Sequence, residues 1–349
     1  MKKNIFTYFV LALCFLMPDV SMAARQNNQC QYTFPNDDLE VIDKILYRKE
    51  NAFIKTSPVT GTVCRYYKNG GIEEITKYVD GLRDGTCEAY YATGEKKMKA
   101  LYTQGKRQGI VTFYHINGEI SGTMTYVNGM LEGVWKKYYE NGVLESETPY
   151  RLDKEEGIKR SYYEGGELEW ERPHRNGVKE GISKMYYKSG KLNIEVQYMA
   201  MEHLNGWLED GSLMWDSVQH GIERHYHENG RIKAEIPYIV GVRGRTIGDV
   251  IYDAEKHQAK DIIRLFELKD GTAMFYHENG SLRMETSYKE DKREGKERVY
   301  RENGKLFATI EYKAGSPISG MCHNRDGTST PLTNAELRNW DNGLKIECR

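Results

Sequence analysis

Glycine recurs in this chain with a fixed step. Gly61, Gly85, Gly109, Gly133, Gly157 and Gly181 stand 24 residues apart, and Gly221, Gly271 and Gly295 take the frame up again. Five residues after each glycine is a tyrosine: Tyr66, Tyr90, Tyr114, Tyr138, Tyr162, Tyr186, Tyr226, Tyr276 and Tyr300. Seventeen residues after it stands Tyr78, Tyr102, Tyr126, Tyr150, His174, Tyr198, Tyr238, Tyr288 or Tyr312. A chain copied at this period folds as an array of one supersecondary unit, so its length of 349 residues does not count domains in the usual way.

The middle of each copy names the unit. Asn69-Gly70, Asn117-Gly118, Asn141-Gly142, Asn229-Gly230, Asn279-Gly280 and Asn303-Gly304 lie between two strand-like runs. Asn and Gly tolerate positive φ, which makes such a pair a hairpin signal. Side-chain alternation sets the loop length. Leu144, Ser146, Thr148 and Tyr150 share a phase, and in the first strands Ile110, Val134, Ile158, Ile182 and Ile222 share the phase of the constant tyrosine. A three-residue loop pairs Tyr138 with Leu144 and keeps both phases on one face. The expectation is a type I turn closed by a glycine bulge, with a buried ladder of Tyr and aliphatics on one side of the sheet. High Tyr and Gly content, 26 and 34 residues, agrees with short strands and tight turns.

The copies degrade in two places, about 206–220 and about 247–270, where a helix over Ala254 to Leu268 is a competing reading. Residues 24–60 lack the repeat and are expected to cap one end, and 320–349 the other. Thr333-Asn334-Ala335-Glu336 is a capping box, so a short helix from about Asn334 to Trp340, stopped near Asn342-Gly343, is expected in the second cap. The fold class is therefore all-β: a solenoid of stacked antiparallel hairpins in a single twisted sheet, spanning 61–319, with a short C-terminal helical cap. At the start, Lys2 and Lys3, the apolar run Ile5 to Met17 and Ser21-Met22-Ala23 read as a secretory signal peptide over residues 1–23, which places the chain in the periplasm or outside the cell.

Gly133, Tyr138-Tyr139, Asn141-Gly142 and Leu144 carry a resemblance to the bacterial MORN repeat variant. It runs from about Gly61 to Gly320, and chains of this kind are grouped with the YwqK-like antitoxin family. The resemblance implies a hairpin array used for protein contact, with antitoxin or immunity-like neutralisation as one role. In some eukaryotic relatives the contact is with membrane lipids.

The candidate chemistry is thin. Cys14 leaves with the signal, and Cys322 and Cys348 bracket the C-terminal helix, where a disulfide would staple the cap. Cys64 and Cys87 lie two strands apart, roughly 9.6 Å by strand spacing, which is too far to bridge. Cys30 therefore pairs with one of them, most simply Cys64, and one thiol stays free. His225 and His227 share a strand and, with Glu228 or Glu278, form a weak metal candidate. The plainer account is that histidine replaces tyrosine at the residue after the constant tyrosine. No nucleophile elbow, phosphate loop or dinucleotide fingerprint is present, and no cofactor or catalytic residue is expected, because the distinctive residues are copied and a catalytic site needs unique ones. With 50 Lys+Arg against 51 Asp+Glu no global field draws nucleic acid. The row Tyr67, Tyr91, His115, Tyr139, Tyr163, Tyr187, His227 and His277 is the candidate partner-binding face, since Tyr offers large contact area at low entropic cost. A protein partner is the expectation, and a membrane or cell-envelope surface the alternative.

Overall fold

The computed structural model describes residues 30–34, 39–42, 45–49, 56–207, 213–242, 245–246, 266–344 and 346–348. The signal-peptide segment and most of the 254–268 stretch lie outside them. The chain forms two compact bodies, one ending at Val143 and one beginning at Leu144. Each is an open antiparallel sheet in which hairpins follow one another in chain order.

The unit is the hairpin that the glycine frame predicts. The first strand runs six residues from the leading glycine, as in Gly109–Tyr114, and the second runs eight, as in Ile120–Val127. Numbering each unit from its leading glycine as position 0, the tyrosine at position 5 pairs directly with position 11: Tyr114 with Ile120, Tyr162 with Leu168, Tyr276 with Leu282. Between them the turn is closed by Tyr67 N–H donating to Gly71 O at 2.8 Å and Gly70 N–H donating to Tyr67 O at 2.9 Å, with Gly70 at φ +85°. That is the three-residue loop with a left-handed glycine. One residue past the pair, the register slips between positions 4 and 5, so the second strand carries a bulge at position 12 and its side chains change sides there.

This bulge corrects the expected faces. The inward phase comprises positions 2, 4, 13, 15 and 17. It holds Cys87, Val111, Ala100, Tyr102 and Tyr126, packed with Met98, Phe113, Met124 and Leu131. The tyrosine at position 17 is the buried one: Tyr102, Tyr126 and Tyr312 are 6%, 8% and 2% exposed. The constant tyrosine at position 5 is half-buried on the other face. Ile110, Val134, Ile158, Ile182 and Ile222 do not belong to a buried ladder; they point outward and are 39–63% exposed. Alternation misled because several inward positions carry polar residues, among them Thr148, Ser161, Ser183 and Glu297, while position 1, on the outward phase, carries Ile or Val in five units.

Units are joined by a second turn. Asn128-Gly129 and Asn176-Gly177 have both residues at positive φ, the two-residue turn whose twist matches the strands it joins. The residue before the leading glycine caps it: Asp84 Oδ2 accepts from Gln104 N–H at 3.2 Å, Gln108 Oε1 from Asn128 N–H at 2.9 Å and Glu156 Oε2 from Asn176 N–H at 2.8 Å. Wherever this turn forms, its second residue is Gly or Asp and its first is not β-branched, as in Leu152-Asp153 and Ala314-Gly315. Ala200-Met201 and Val240-Gly241 occupy the same positions in the irregular copies. Met201 stands where Gly or Asp is needed and Val240 is a β-branched first residue, and the left-handed region is sterically costly for both. Here the strands do not turn but run on, as Leu192–Trp207 and Ile232–Val242. The described end of the competing helix, 266–268, lies in the strand Phe266–Lys269.

The ends are covered differently. In the N-terminal body Tyr32–Phe34 pairs parallel to Gly61–Tyr66, and a three-stranded sheet, 39–42, 45–49 and 56–58, places Leu39, Leu46 and Val59 against Val63. In the C-terminal body helix α1 (Asn334–Asp341) starts at the Thr333 capping box with Glu336 at its third position, as expected. Leu337 enters the cluster of Val299, Ala308, Ile310 and Tyr312. Gly320 makes that approach possible, since a Cβ there would lie 2.8 Å from Leu332 Cδ1 and 3.0 Å from Leu337 Cδ2.

Candidate binding faces

The predicted face residues follow the constant tyrosine at position 6, and the structure commits their polar tips to the array itself. Tyr67 OH donates to Tyr90 O at 2.7 Å, Tyr91 OH to Tyr114 O at 2.7 Å, Tyr163 OH to Tyr186 O at 2.9 Å and Tyr187 OH to Tyr226 O at 2.7 Å. His115 Nε2 lies 2.8 Å from Tyr138 O, His227 Nε2 3.2 Å from Tyr276 O and His277 Nε2 3.1 Å from Tyr300 O. A backbone carbonyl only accepts, so Nε2 carries the proton in all three. Histidine replaces tyrosine because both present one donor at the same reach. Tyr139 also has a partner. The row thus stitches hairpin to hairpin at the turn end, with its rings half-buried.

The asparagine at position 8 adds a second stitch. Asn279 Oδ1 accepts from Ser281 N–H at 2.9 Å and its Nδ2 donates to Glu302 O at 3.2 Å, and Asn69, Asn117 and Asn229 repeat the pattern toward Ala92, Glu140 and Glu278. Asp would close the turn but has no donor for the neighbour.

The outer face carries a polar ladder. Tyr162 OH donates to Glu147, Tyr186 to Glu171, Tyr226 to Glu195, Tyr276 to Glu235 and Tyr300 to Glu285, at 2.8–3.3 Å. Arg160 bridges Glu147 and Glu171 at 3.1 and 2.9 Å, and Arg298 holds Glu285 at 2.6 Å. Burial, then the carboxylate beside them, pushes the Tyr186 and Tyr226 phenols up to about 12. The hydrogen bond from Arg160 holds Glu171 below the usual carboxylate range. Beside this ladder runs the apolar stripe: Ile158 faces Pro173 and Ile222 faces Pro237 across their hairpins, with Ile182 between them in the chain, 50% exposed. Successive units share only short ladders, such as Ser146–Ser161 and Glu147–Arg160. Proline is accommodated where the strands part, because no N–H is needed there.

On the inner face, cations at position −2 pair with the buried tyrosines: Arg107 lies 5.9 and 5.2 Å from the Tyr102 and Tyr126 ring centres, and Arg293 4.1 Å from that of Tyr312. This cation and the cap at position −1 recur with the glycine frame. Neither stands out in the sequence, because Lys, Arg, Asp and Glu are frequent along every strand. The metal candidates separate. His225 Nε2 bonds Glu223 Oε1 while His227 turns to the Tyr276 carbonyl, and among the described residues no group of three or more His, Cys, Asp or Glu is placed to hold an ion. Cys30–Cys64 and Cys322–Cys348 are disulfides with Cα atoms 5.7 and 5.4 Å apart, and Cys87 is the free, buried thiol.

Each unit thus has a leading glycine and a bulged hairpin, and the units opening at Gly85, Gly109, Gly181, Gly271 and Gly295 have a cation two residues ahead. Five segments match the MORN repeat variant. They are 131–151, 179–199, 219–239, 269–290 and 293–314. Each MORN repeat variant segment opens at position −2, so Lys179, Lys269 and Arg293, which stack on Tyr198, Tyr288 and Tyr312, lie inside the repeat. No curated protein matches the chain. Among solved structures, the chain is similar to that of TcdB2-TccC3-Cdc42 at 14% identity and a TM-score of 0.17, over 84% of this chain and 16% of that one. It is similar to that of TcdB2-TccC3 at the same identity and TM-score, over 81% and 16%. This chain therefore spans a small part of the chains it matches. No helix among the described residues is long and apolar enough to cross a membrane.

Proposed function

We propose that the chain is an exported, non-catalytic repeat scaffold that binds a protein partner, with antitoxin- or immunity-like neutralisation as the role such binding would serve. The observation that carries the reading is the outward stripe of Ile158, Ile182 and Ile222, exposed at the same position in successive units although each copy could place a polar residue there. Aliphatics exposed in register form a contact surface, whereas scattered ones need no explanation. The half-buried rings of the row Tyr67, Tyr91, His115, Tyr139, Tyr163, Tyr187, His227 and His277 are the second candidate surface. Two disulfides in a chain of this size support an oxidising compartment, periplasmic or extracellular.

The test is affinity capture from the cell envelope with the full chain and two double variants. Ile158→Ser with Ile182→Ser is expected to lose the partner while melting at an unchanged temperature. Loss through Tyr139→Ser with Tyr163→Ser alone would move the contact to the turn row. Retention of vesicles or envelope polymer in place of any protein would replace this reading by a surface-binding one.

A further inference from the structure

The inner face changes character along the C-terminal body. Near helix α1 it is aliphatic, with Val299, Ala308 and Ile310. In the units opening at Gly157 and Gly181 it carries Lys159, Trp170, Arg172, Ser183 and Tyr198 at the same inward positions. Three donor groups there have no hydrogen-bond acceptor among the described residues. Arg172 stacks on Trp170, its guanidinium carbon 4.1 Å from the ring centre. Stacking uses the π face and leaves the N–H edges in the plane open. Arg160, Arg224, Arg293 and Arg298 all hold carboxylates; Arg172 has none among the described residues, and neither does the Trp170 indole N–H. Ser183 Oγ is buried without a hydrogen-bond partner, in a residue 6% exposed. The register that pairs Glu171 with Lys184 sets Arg172 and Ser183 at the next facing positions. Lys179 completes the group with its ammonium 4.1 Å from the Tyr198 ring centre.

The carboxylates of this region are taken by other groups. Glu155 binds Lys159 at 2.8 Å and His174 Nε2 at 3.1 Å. Glu223 bonds His225 and accepts from Gln219 Nε2 at 2.6 Å, and Glu267 accepts from Gln219 N–H at 2.8 Å. Burial, with Lys159 and Lys179 nearby, keeps His174 below its ordinary value. Open donors around a planar cation, with Trp and Tyr rings beside it, suit a planar anion on an apolar stem.

We propose that this patch is a carboxylate-binding site, which takes Glu or Asp side chains from an acidic segment of the protein partner, Arg172 bidentate and Trp170 and Ser183 as flanking donors. The proposal rests on the partner-binding reading but is tested apart from it. A hexaglutamate peptide is titrated into the full chain, followed by the Trp170 indole and His174 imidazole NMR signals. Saturable binding that shifts both signals is expected, weakened about tenfold or more in Arg172→Gln and several-fold in Arg172→Lys, which keeps the charge but loses the planar fork. Arg175→Gln, on an exposed arginine paired with Glu180, should bind as the parent does. Arg172→Lys keeps the test open if Arg172→Gln does not fold. No saturable binding, binding indifferent to both Arg172 variants, or displacement by inorganic phosphate at equal concentration would overturn the proposal. If the isoleucine variants lose the partner while the peptide fails to bind, the site falls and the scaffold reading stands. Peptide binding without any captured protein upholds the site and removes the scaffold reading.

Discussion

At the scale of single residues, the two tyrosines of each unit do different work, and their energetics separate them. Tyr312 at position 17 is buried against Ile310 and Val299 and bonded by Arg293 Nη1 at 2.6 Å. Tyr312→Ala should cost about 3–5 kcal/mol in urea unfolding. Tyr276→Phe removes one half-exposed hydroxyl bond to Glu235 and should cost about 1 kcal/mol. Equal losses would show that the bulge does not sort the rings as described. The outer ladder also titrates. Tyr186 and Tyr226 keep their protons up to about 12 when folded, against about 10 in the unfolded chain. Their contribution is fully present below about pH 10 and lost as pH rises through about 12, which thermal melts across about pH 9–12 would show as a falling midpoint. Doubling the substitution, Tyr186→Phe with Tyr226→Phe, should flatten that fall.

At the scale of elements, the connecting turns decide where a unit ends. Gly177, at φ +89° with open space around its Cβ position, should tolerate alanine sterically yet lose about 1–2 kcal/mol to the left-handed backbone, read as a lower urea midpoint. The C-terminal cap hangs on polar ties and one covalent tie. Trp340 Nε1 donates to Glu297 Oε1 at 2.6 Å, and Glu297 is 2% exposed. Arg293 Nη2 holds Asp341 at 2.5 Å. Cys348→Ala opens the Cys322 staple and should destabilise the cap by about 2–4 kcal/mol. Hydrogen exchange should register this as early opening of helix α1, with the hairpins upstream of Gly295 unchanged. Uniform loss of protection would show that the cap is cooperative with the whole body.

At the scale of the molecule, stability is distributed over nearest-neighbour contacts, as in other repeat arrays. Removing residues 157–180, one full period, joins Glu156 to Gly181 and restores the junction seen as Glu180-Gly181. The shortened chain should fold and melt cooperatively. Removing 157–168, half a period, should not, because a second strand would then follow the connecting turn with no first strand to pair with. Circular dichroism of the two deletions distinguishes them, and folding of both would argue against a fixed unit.

Much of this was legible without coordinates. The glycine frame, the three-residue loop with its left-handed glycine, the capped helix at Asn334 and both disulfides follow from local chemistry: φ preference, capping and strand spacing. The faces did not. Residues such as Ile158 and Ser161 alternate correctly in sequence, but alternation is blind to sign, and a single bulged residue past position 11 reverses which phase is inward. Only the packed sheet decides that Ile158 meets solvent while Ser161 and Tyr312 are buried. Nor could spacing along the chain show that Tyr163 reaches the backbone of the next hairpin, or that Arg172, Trp170 and Ser183 come together with their donors open. Those facts belong to contacts between units, which the repeat specifies in kind and tertiary structure specifies in place.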